Sequence, residues 1–503
     1  MRLYFMNLCR RAAVRAAAVA ALALVAGTSQ AEVKLPNIFG DHMVLQQAQK
    51  NRVWGSANTN EEITVKIDKQ SKNAVADKDG KWQVMLDPLP VGGPYEMTIK
   101  GTNEIKIADI LVGEVWICSG QSNMQWSINQ ANDPDLEKLT AKNPKLRMIN
   151  FPQVGSQEAI WSHDRQWQVC TPETVGGFSA VGYFFGRQLQ ETLDVPVGMI
   201  NNAWGGSACE AWINRETLAA DPQFKPLLER WAGIEKNYAA LADKPEERKK
   251  MDGQMKGNAR PGNIYNGVLK SHLGYGIRGA IWYQGESNAG RAYQYRELFP
   301  LMIASWRKEW NQGDFPFYWV QLADFKEEQA EPGESDWAEL REAQTMTMSK
   351  LPNTGEAVII DIGEGKDIHP KNKVDVGRRL ARWALGKQYG IEIAYHSPQY
   401  KSMEKRDNKI VLTFDHLGAG WRPFDVNKPI GFAIAGEDKK FVWADAKIVE
   451  GNKIEVSSAK VASPVAVRYA WADNPVCNMY SVNGLPLTPF RTDDWPGKTI
   501  DAK

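Results

Sequence analysis

The stretch that decides the fold reads Ile-Leu-Val-Gly-Glu-Val-Trp-Ile over Ile110–Ile117, and Cys-Ser-Gly-Gln-Ser-Asn-Met-Gln-Trp follows over Cys118–Trp126. The apolar run predicts a buried strand, and Gly120, which has no Cβ, allows the sharp turn after it. Open α/β sheets place their chemistry at the carboxyl ends of strands. Ser122 is then predicted to begin a helix, where free N–H groups favour an oxyanion, although serine is also a common helix cap.

A second segment far downstream, Asp367-Ile368-His369-Pro370, favours the catalytic interpretation of Ser122 over the capping one. An early serine and a late histidine, each at the edge of an apolar strand, are how folding assembles a nucleophile and its base. Pro370 is a natural first helical residue, and a helix N-terminus disfavours a charged imidazolium. We therefore predict Ser122 as the nucleophile and His369 as the general base.

Four blocks along the chain resemble one family when they are taken in order. They are Gly120-Gln121-Ser122-Asn123-Met124, Trp204-Gly205-Gly206-Ser207, Trp282-Tyr283-Gln284-Gly285-Glu286-Ser287-Asn288, and Asp367-Ile368-His369-Pro370 running into Asn372-Lys373. The chain thus resembles the SGNH hydrolases in their sialate O-acetylesterase branch, a family that also includes esterases of acetylated xylan and other plant glycans. Similar flanks at Met43–Gln46 and Pro489–Asp493 extend the resemblance over nearly the whole mature chain.

The resemblance implies a role for Asp367 as the third member of a catalytic triad that orients His369. The wider superfamily usually places this aspartate three residues before the histidine, whereas here the spacing is two. Other groups could orient the histidine instead, namely Asp361, Glu364, Asp375 or a backbone carbonyl. Asp367 could also simply cap the helix that begins near Pro370.

Three groups are candidate donors to an oxyanion. The backbone N–H of Ser122 is one, and the Gly205-Gly206 pair is another, with Gly206 as the predicted donor, because glycine permits close backbone approach. An ordinary turn is the alternative for that pair. The third is the side-chain amide of Gln284, because the resemblance implies that glutamine replaces the superfamily's usual asparagine at this point.

The first 31 residues predict a cleavable signal peptide, since four arginines precede or open the apolar run Ala16–Ala26 and Ser29-Gln30-Ala31 offers a cleavage site. We expect a periplasmic or secreted protein. Removing these residues changes the net charge from +1 to −3, because they hold four arginines and no acid. No basic stripe predicts a nucleic-acid partner, and no membrane span is predicted. No histidine, cysteine or glycine motif predicts a metal or another cofactor.

The pattern of strand and helix signals along the rest of the chain predicts three further regions. An N-terminal β domain is expected over residues 32–105, an α/β domain over 106–395 with a helical insertion at about 207–262, and a C-terminal β domain over 396–503. The resemblance implies that the α/β domain is of the SGNH hydrolase type. Strands alternating with helices predict a mostly parallel sheet. The resemblance refines this prediction to a three-layer α/β/α core flanked by β-sandwich regions.

Together these observations predict a secreted serine esterase that removes O-acetyl groups from sugars, with O-acetylated sialic acid as the first choice of substrate. The alternative in the same fold is an acetyl xylan or other plant-glycan acetylesterase. A glycosidase using Glu286 and Asp367 would leave Ser122 and His369 without a role. A more distant alternative is a carbohydrate-binding protein without catalysis, which the intact pair Ser122 and His369 argues against.

Overall fold

The computed structural model describes residues 32–502, so the predicted signal peptide lies outside the described residues. Two compact units divide the described chain. The first consists of residues 32–35, Trp54–Val84 and Thr98–Lys106; the second consists of Pro36–Val53, Met85–Met97 and residues 107–502. No helix within the described residues has the length and apolar character that a membrane crossing needs.

The N-terminal part of the chain is built from strands. Their bounds are β1 Val44–Gln46, β2 Asn51–Ser56, β3 Glu62–Ile67, β4 Gln70–Val75, β5 Lys81–Leu86 and β6 Gly92–Lys100. Within the first unit, β3 and β4 form an antiparallel pair. Their sequence alternates, and the apolar residues Ile63, Val65 and Ile67 of β3 are buried.

The large sheet of the second unit supports the candidate site. Its strands follow the order β13-β12-β11-β7-β10-β8-β9, and each neighbouring pair is parallel except β8 and β9. The bounds are β7 Glu104–Gly120, β8 Asn143–Asn150, β9 Gln168–Cys170, β10 Val197–Asn201, β11 Gly279–Tyr283, β12 Phe317–Val320 and β13 Thr354–Ala357. Cys118 of β7 is in register with Asn201 of β10 and Ile281 of β11, so the three carboxyl ends meet.

Helices follow the strands as the apolar periodicity predicts. The bounds are α1 Ser122–Gln125, α2 Pro134–Thr140, α3 Ala180–Leu193, α4 Arg215–Ala219, α5 Lys225–Ala240, α6 Pro245–Met255, α7 Asn263–Gly267, α8 Ala292–Trp310, α9 Asp336–Lys350 and α10 Lys373–Trp383. Ser179 caps α3 by accepting the Gly182 N–H. Both α3 and α10 contribute to one buried core with the sheet, through residues such as Phe184 and Leu380.

Short helical turns complete this part of the chain. They are the 3-10 segments Ile128–Gln130, Val175–Gly177, Cys209–Trp212, Pro222–Phe224, Leu269–Ser271, Glu286–Arg291 and Glu450–Asn452, and the π-helical segment Ala384–Gln388. The predicted helical insertion contains α4, α5 and α6. Most of α5 and α6 is exposed, with Leu227, Trp231 and Met255 as their buried anchors.

The C-terminal strands form two antiparallel four-stranded sheets, in the orders β14-β15-β19-β18 and β17-β16-β20-β21. A shared core of apolar side chains lies between them, including Leu412, Ile434 and Val456. The bounds are β14 Gln399–Arg406, β15 Lys409–Asp415, β16 Phe432–Ala435, β17 Val442–Trp443, β18 Asp445–Val449, β19 Lys453–Ser457, β20 Ala466–Tyr469 and β21 Phe490–Arg491.

The four cysteines of the described chain are all free thiols. Cys118, Cys170 and Cys209 are buried, and Cys477 is half-buried. Overall, the structure confirms a mixed α/β fold with a large sheet and further β-sheets. The three-layer arrangement and the domain boundaries stay predictions.

Candidate active site

The turn after β7 places Ser122 at the carboxyl edge of the sheet. Gly120 has a φ of +128°, and a Cβ on it would lie 2.2 Å from the Tyr283 carbonyl oxygen. Only glycine fits this turn, because both the conformation and the space exclude a side chain. The Gln121 N–H donates to that same carbonyl over 2.8 Å, and α1 begins at the next residue, Ser122.

His369 meets Ser122 from the loop that precedes α10. The distance between its Nε2 and the Ser122 Oγ is 2.8 Å. The Trp126 side chain stacks on the imidazole, with ring centroids 4.4 Å apart and ring planes 14° apart. This contact holds the ring in one orientation, so that Nε2 points at the hydroxyl. The two residues lie 247 positions apart in sequence, and the structure brings them within hydrogen-bond reach.

The electrostatic surroundings keep His369 in its neutral form. Desolvation lowers the pKa of His369, and the nearby Lys373 charge lowers it further, while Asp367 acts in the opposite direction. A neutral imidazole has a lone pair available for the Ser122 proton. The pair therefore has both the geometry and the protonation state that a serine nucleophile needs.

Asp367 lies beside His369 without bonding its ring. Its Oδ1 is 3.6 Å from the His369 Nδ1, and it accepts the His369 backbone N–H over 2.9 Å. The other carboxylates considered from the sequence have partners elsewhere. Asp361 pairs with Arg379, Asp375 accepts from Asn372, and Glu364 accepts the Lys371 N–H. Among these carboxylates, Asp367 is thus the one that lies within 4 Å of the His369 ring, at 3.6 Å from its Nδ1.

The Gly205-Gly206 loop follows β10 and reaches the nucleophile. A Cβ on Gly205 would lie 3.3 Å from the Ser122 Cβ, which measures how closely this loop approaches. Two side chains fix the loop, because Gln125 accepts the Gly205 N–H over 2.7 Å and Asn258 donates to the Gly205 carbonyl. Within residues 32–502, neither the Ser122 N–H nor the Gly206 N–H donates to another protein group.

Gln284 is fully buried behind this loop. Its Nε2 donates to the Ser207 carbonyl over 3.0 Å and to the Asn288 Oδ1 over 2.7 Å, and its Oε1 accepts from the Tyr295 hydroxyl. Both amide protons are therefore donated to protein acceptors. The loop that carries Gly206 rests on this glutamine through Ser207.

A buried polar cluster under the nucleophile has no counterpart in the roles predicted from the sequence. Asn123 donates to the Glu286 carboxylate over 2.7 Å and to the Ile368 carbonyl over 3.0 Å, and it accepts from the Lys373 ammonium over 2.6 Å. Lys373 is fully buried. The sequence did point to two members of this cluster, since Asn123 and Lys373 lie inside the blocks that carry the family resemblance.

Arg291 is the first arginine after the carboxyl end of β11. It pairs with the buried Glu210 over 2.7 Å, and Arg230 of α5 lies 3.8 Å from the same carboxylate. Arg278 pairs with Glu114 before β11 begins. The fully buried Arg341 donates to four carbonyl groups.

No group of three or more histidine, cysteine or carboxylate side chains suited to a metal ion lies within residues 32–502. The prediction that the reaction uses no metal stays a prediction.

Comparison with known proteins matches the sequence of this chain to one family. The family model described as carbohydrate esterase, sialic acid-specific acetylesterase matches residues 112–242 and 254–386, which include Ser122, Gly206, Gln284 and His369. The chain belongs to this family. Membership in the sialic acid-specific acetylesterase family confirms the prediction of a carbohydrate O-acetylesterase, an enzyme that removes O-acetyl groups from sugars.

Relatives extend the likeness beyond the segment that the family model matches. The chain is 28% identical to the sialate O-acetylesterase of Mus musculus, over 91% of this chain and 94% of that protein, and 28% identical to that of Homo sapiens, over 92% and 94%. A carbohydrate acetylesterase from Xanthomonas citri has a similar structure, with a TM-score of 0.81, 38% identity and coverage of 92% of this chain and all of that one.

Proposed function

We propose that this acetylesterase acts on O-acetylated sialic acid and that Ser122 is its nucleophile. The observation that carries the mechanism is the 2.8 Å contact between the Ser122 Oγ and the His369 Nε2. The Ser122 oxygen attacks the acetyl carbonyl carbon while His369 takes the hydroxyl proton. The bond to the sugar oxygen then breaks, and that oxygen receives the proton from His369. Water enters by the same route and releases acetate.

The oxyanion of each tetrahedral intermediate is bound by the N–H groups of Ser122 and Gly206. Among the described residues, neither group has a protein acceptor, and oxyanion donors act within about 2.7–3.1 Å of the developing charge. The start of α1 adds the favourable end of a helix dipole. Gln284 supports this arrangement by holding the Ser207 carbonyl. As the direct donor predicted from the sequence, it would have to withdraw its amide from Ser207 or Asn288.

Asp367 acts as the electrostatic partner of His369. At 3.6 Å its carboxylate stabilises the imidazolium that forms during proton transfer, and its contact with the His369 N–H fixes the loop. Ring orientation comes mainly from Trp126. We therefore assign Asp367 a smaller share of catalysis than a hydrogen-bonded triad aspartate has.

Sialic acid is favoured over neutral plant glycans by the family description and the names of the curated relatives. Its carboxylate requires a cation in the site. Arg291 is the candidate, because it follows β11 and has a second arginine, Arg230, near its own partner Glu210. Acetylated xylan is the alternative substrate.

The wider architecture belongs to the same proposal. The parallel strands and the core shared by α3 and α10 support a three-layer SGNH-type domain over about residues 106–395, between β domains over 32–105 and 396–503. The composition of residues 1–31 supports export to the periplasm or the medium.

Acetate release tests both substrate and nucleophile. O-acetylated sialic acid and acetylated xylan are compared at equal acetyl concentration, with a chromogenic acetyl ester as control. We expect the highest kcat/KM on the sialate, and a preference for xylan would overturn the substrate assignment. Ser122→Ala should lose activity down to about 10³–10⁴ over water, and a fluorophosphonate should label Ser122. Ser127→Ala, which removes a hydroxyl five residues away, should keep the rate.

A further inference from the structure

The Asn123 side chain joins the nucleophile to the loop that carries the base. Asn123 follows Ser122 in α1, and its amide donates to the carbonyl of Ile368, the residue before His369, over 3.0 Å. The same amide donates to Glu286 over 2.7 Å. Asn123 is fully buried, and these two hydrogen bonds hold three chain segments together.

Lys373 provides a charge at the centre of this arrangement. Its ammonium donates to the Asn123 Oδ1 over 2.6 Å and lies 5.3 Å from the centre of the Tyr283 ring. A fully buried lysine is rare, because burying a charge is costly unless it is paired and hydrogen-bonded. Within residues 32–502, one Glu286 oxygen is buried without a protein partner.

Charged groups surround His369 and Lys373. Asp367 and Lys373 act on the His369 ring, and Glu286, Glu364 and Asp367 act on the Lys373 ammonium. Trp126 covers the ring, and Ser122 faces its Nε2. The Asp367 carboxylate favours the imidazolium, while the ammonium of Lys373 opposes it.

We propose that Lys373, held by Asn123, is a positioning residue for the base: it fixes the His369 loop against α1, and its charge keeps the imidazole neutral until it accepts the Ser122 proton. This inference rests on the proposed roles of Ser122 and His369. Burial lowers the pKa of Lys373 to about 7, so the ammonium is present below neutral pH, where a histidine base would otherwise be protonated.

The test is the pH profile of kcat/KM on the chromogenic acetyl ester for Lys373→Met. Methionine keeps the hydrocarbon chain and removes the charge and the donor. Removing a positive charge raises the pKa of His369, so the acid limb should move to higher pH and the loss should be larger at about pH 5.5 than at about pH 8. Lys373→Gln retains a donor for Asn123 without the charge, so it should show the same shift with a higher plateau rate.

Lys371→Met is the matched control, because it removes an exposed lysine from the same loop. Its profile should stay that of the wild type. If kcat/KM falls by the same factor at every pH in both Lys373 variants, the inference is overturned. A purely structural role lowers the fraction of active enzyme without moving the acid limb of the profile. Fluorophosphonate labelling of Ser122 separates the two proposals. Labelling with an unmoved limb rejects only the role of Lys373, whereas absence of labelling at Ser122 in the wild type rejects the nucleophile.

Discussion

At the scale of single residues, the site depends on how each polar side chain divides its hydrogen bonds. Ser122 and His369 have one strong contact with each other, and the Ser122 N–H has no acceptor in the part of the chain that the structure describes. Asp367 and Gln284, by contrast, are occupied with backbone groups or buried partners. The expected effects of mutation follow from this difference.

Asp367→Asn should lower kcat by roughly 10–100-fold, less than the order of 10⁴ lost with a hydrogen-bonded triad aspartate. Asparagine keeps an oxygen for the His369 N–H and removes the charge that favours the imidazolium. The pKa of His369 should therefore fall, and the acid limb of the kcat/KM profile should move to lower pH, opposite to Lys373→Met. Asp375→Asn is the control and should keep both rate and profile. A wild-type rate and pH profile in Asp367→Asn would show that the Asp367 charge has no catalytic role. Trp126 would then be the group that orients His369.

Gln284→Ala should destabilise the protein more clearly than a surface glutamine does. The change leaves the Ser207 carbonyl without its donor and removes one of the two donors to the Asn288 Oδ1, which keeps the Cys209 N–H. The Tyr295 hydroxyl loses its acceptor at 2.9 Å, and a stranded buried group costs about 1–3 kcal/mol. Urea unfolding measures the free energy of unfolding, and Gln188→Ala on α3 is the control. If stability is unchanged while kcat falls by roughly 10²–10³, Gln284 is a direct oxyanion donor instead.

What the sequence predicts at this scale has a clear limit. Ser122 and His369 were identifiable because each follows or precedes a recognisable element, and strand ends converge in an α/β sheet. The hydrogen-bond partners of Gln284 come from three separate segments, so no local pattern reveals that its amide is already occupied. The burial of Lys373 is equally hidden, because lysine is ordinarily an exposed residue.

At the scale of elements, the Gly205-Gly206 loop is held from both sides. Gln125 of α1 binds its N–H group, and Asn258, which follows α6, binds its carbonyl. The loop therefore depends on the helical insertion, although most of that insertion is exposed. The bounds of α8 were predictable from the sequence because its apolar stripe is long. The hydrogen bond from Asn258 to the Gly205 carbonyl was not predictable, because the charged sequence of the insertion indicates only exposed helices.

Asn258→Ala should loosen this loop and with it the Gly206 N–H. A lost hydrogen bond of about 1 kcal/mol corresponds to a decrease in kcat of about three- to tenfold. Thermal unfolding should change little, since Asn258 is only half-buried. Asn237→Ala, an exposed asparagine on α5, is the control for the insertion itself. Equal rates in the two variants would show that the loop holds its position without Asn258.

At the scale of the whole molecule, the predicted signal peptide over residues 1–31 can be tested directly. Expression of all 503 residues in a bacterial host should yield a periplasmic enzyme that begins near Glu32. N-terminal sequencing and fractionation measure this. A variant lacking residues 1–31 is the control and should stay in the cytoplasm with full activity. Retention of Met1 on an active periplasmic protein would favour an N-terminal anchor.

The free thiols bear on how the folded enzyme responds to redox conditions. The proposed export would place the enzyme among oxidants that the cytoplasm lacks. The four cysteines of the described chain are free thiols, and three of them are buried. Burial also raises the pKa of Cys118 and Cys170, which suppresses the reactive thiolate. Neither reductant nor mild oxidant should therefore alter the turnover of the folded enzyme.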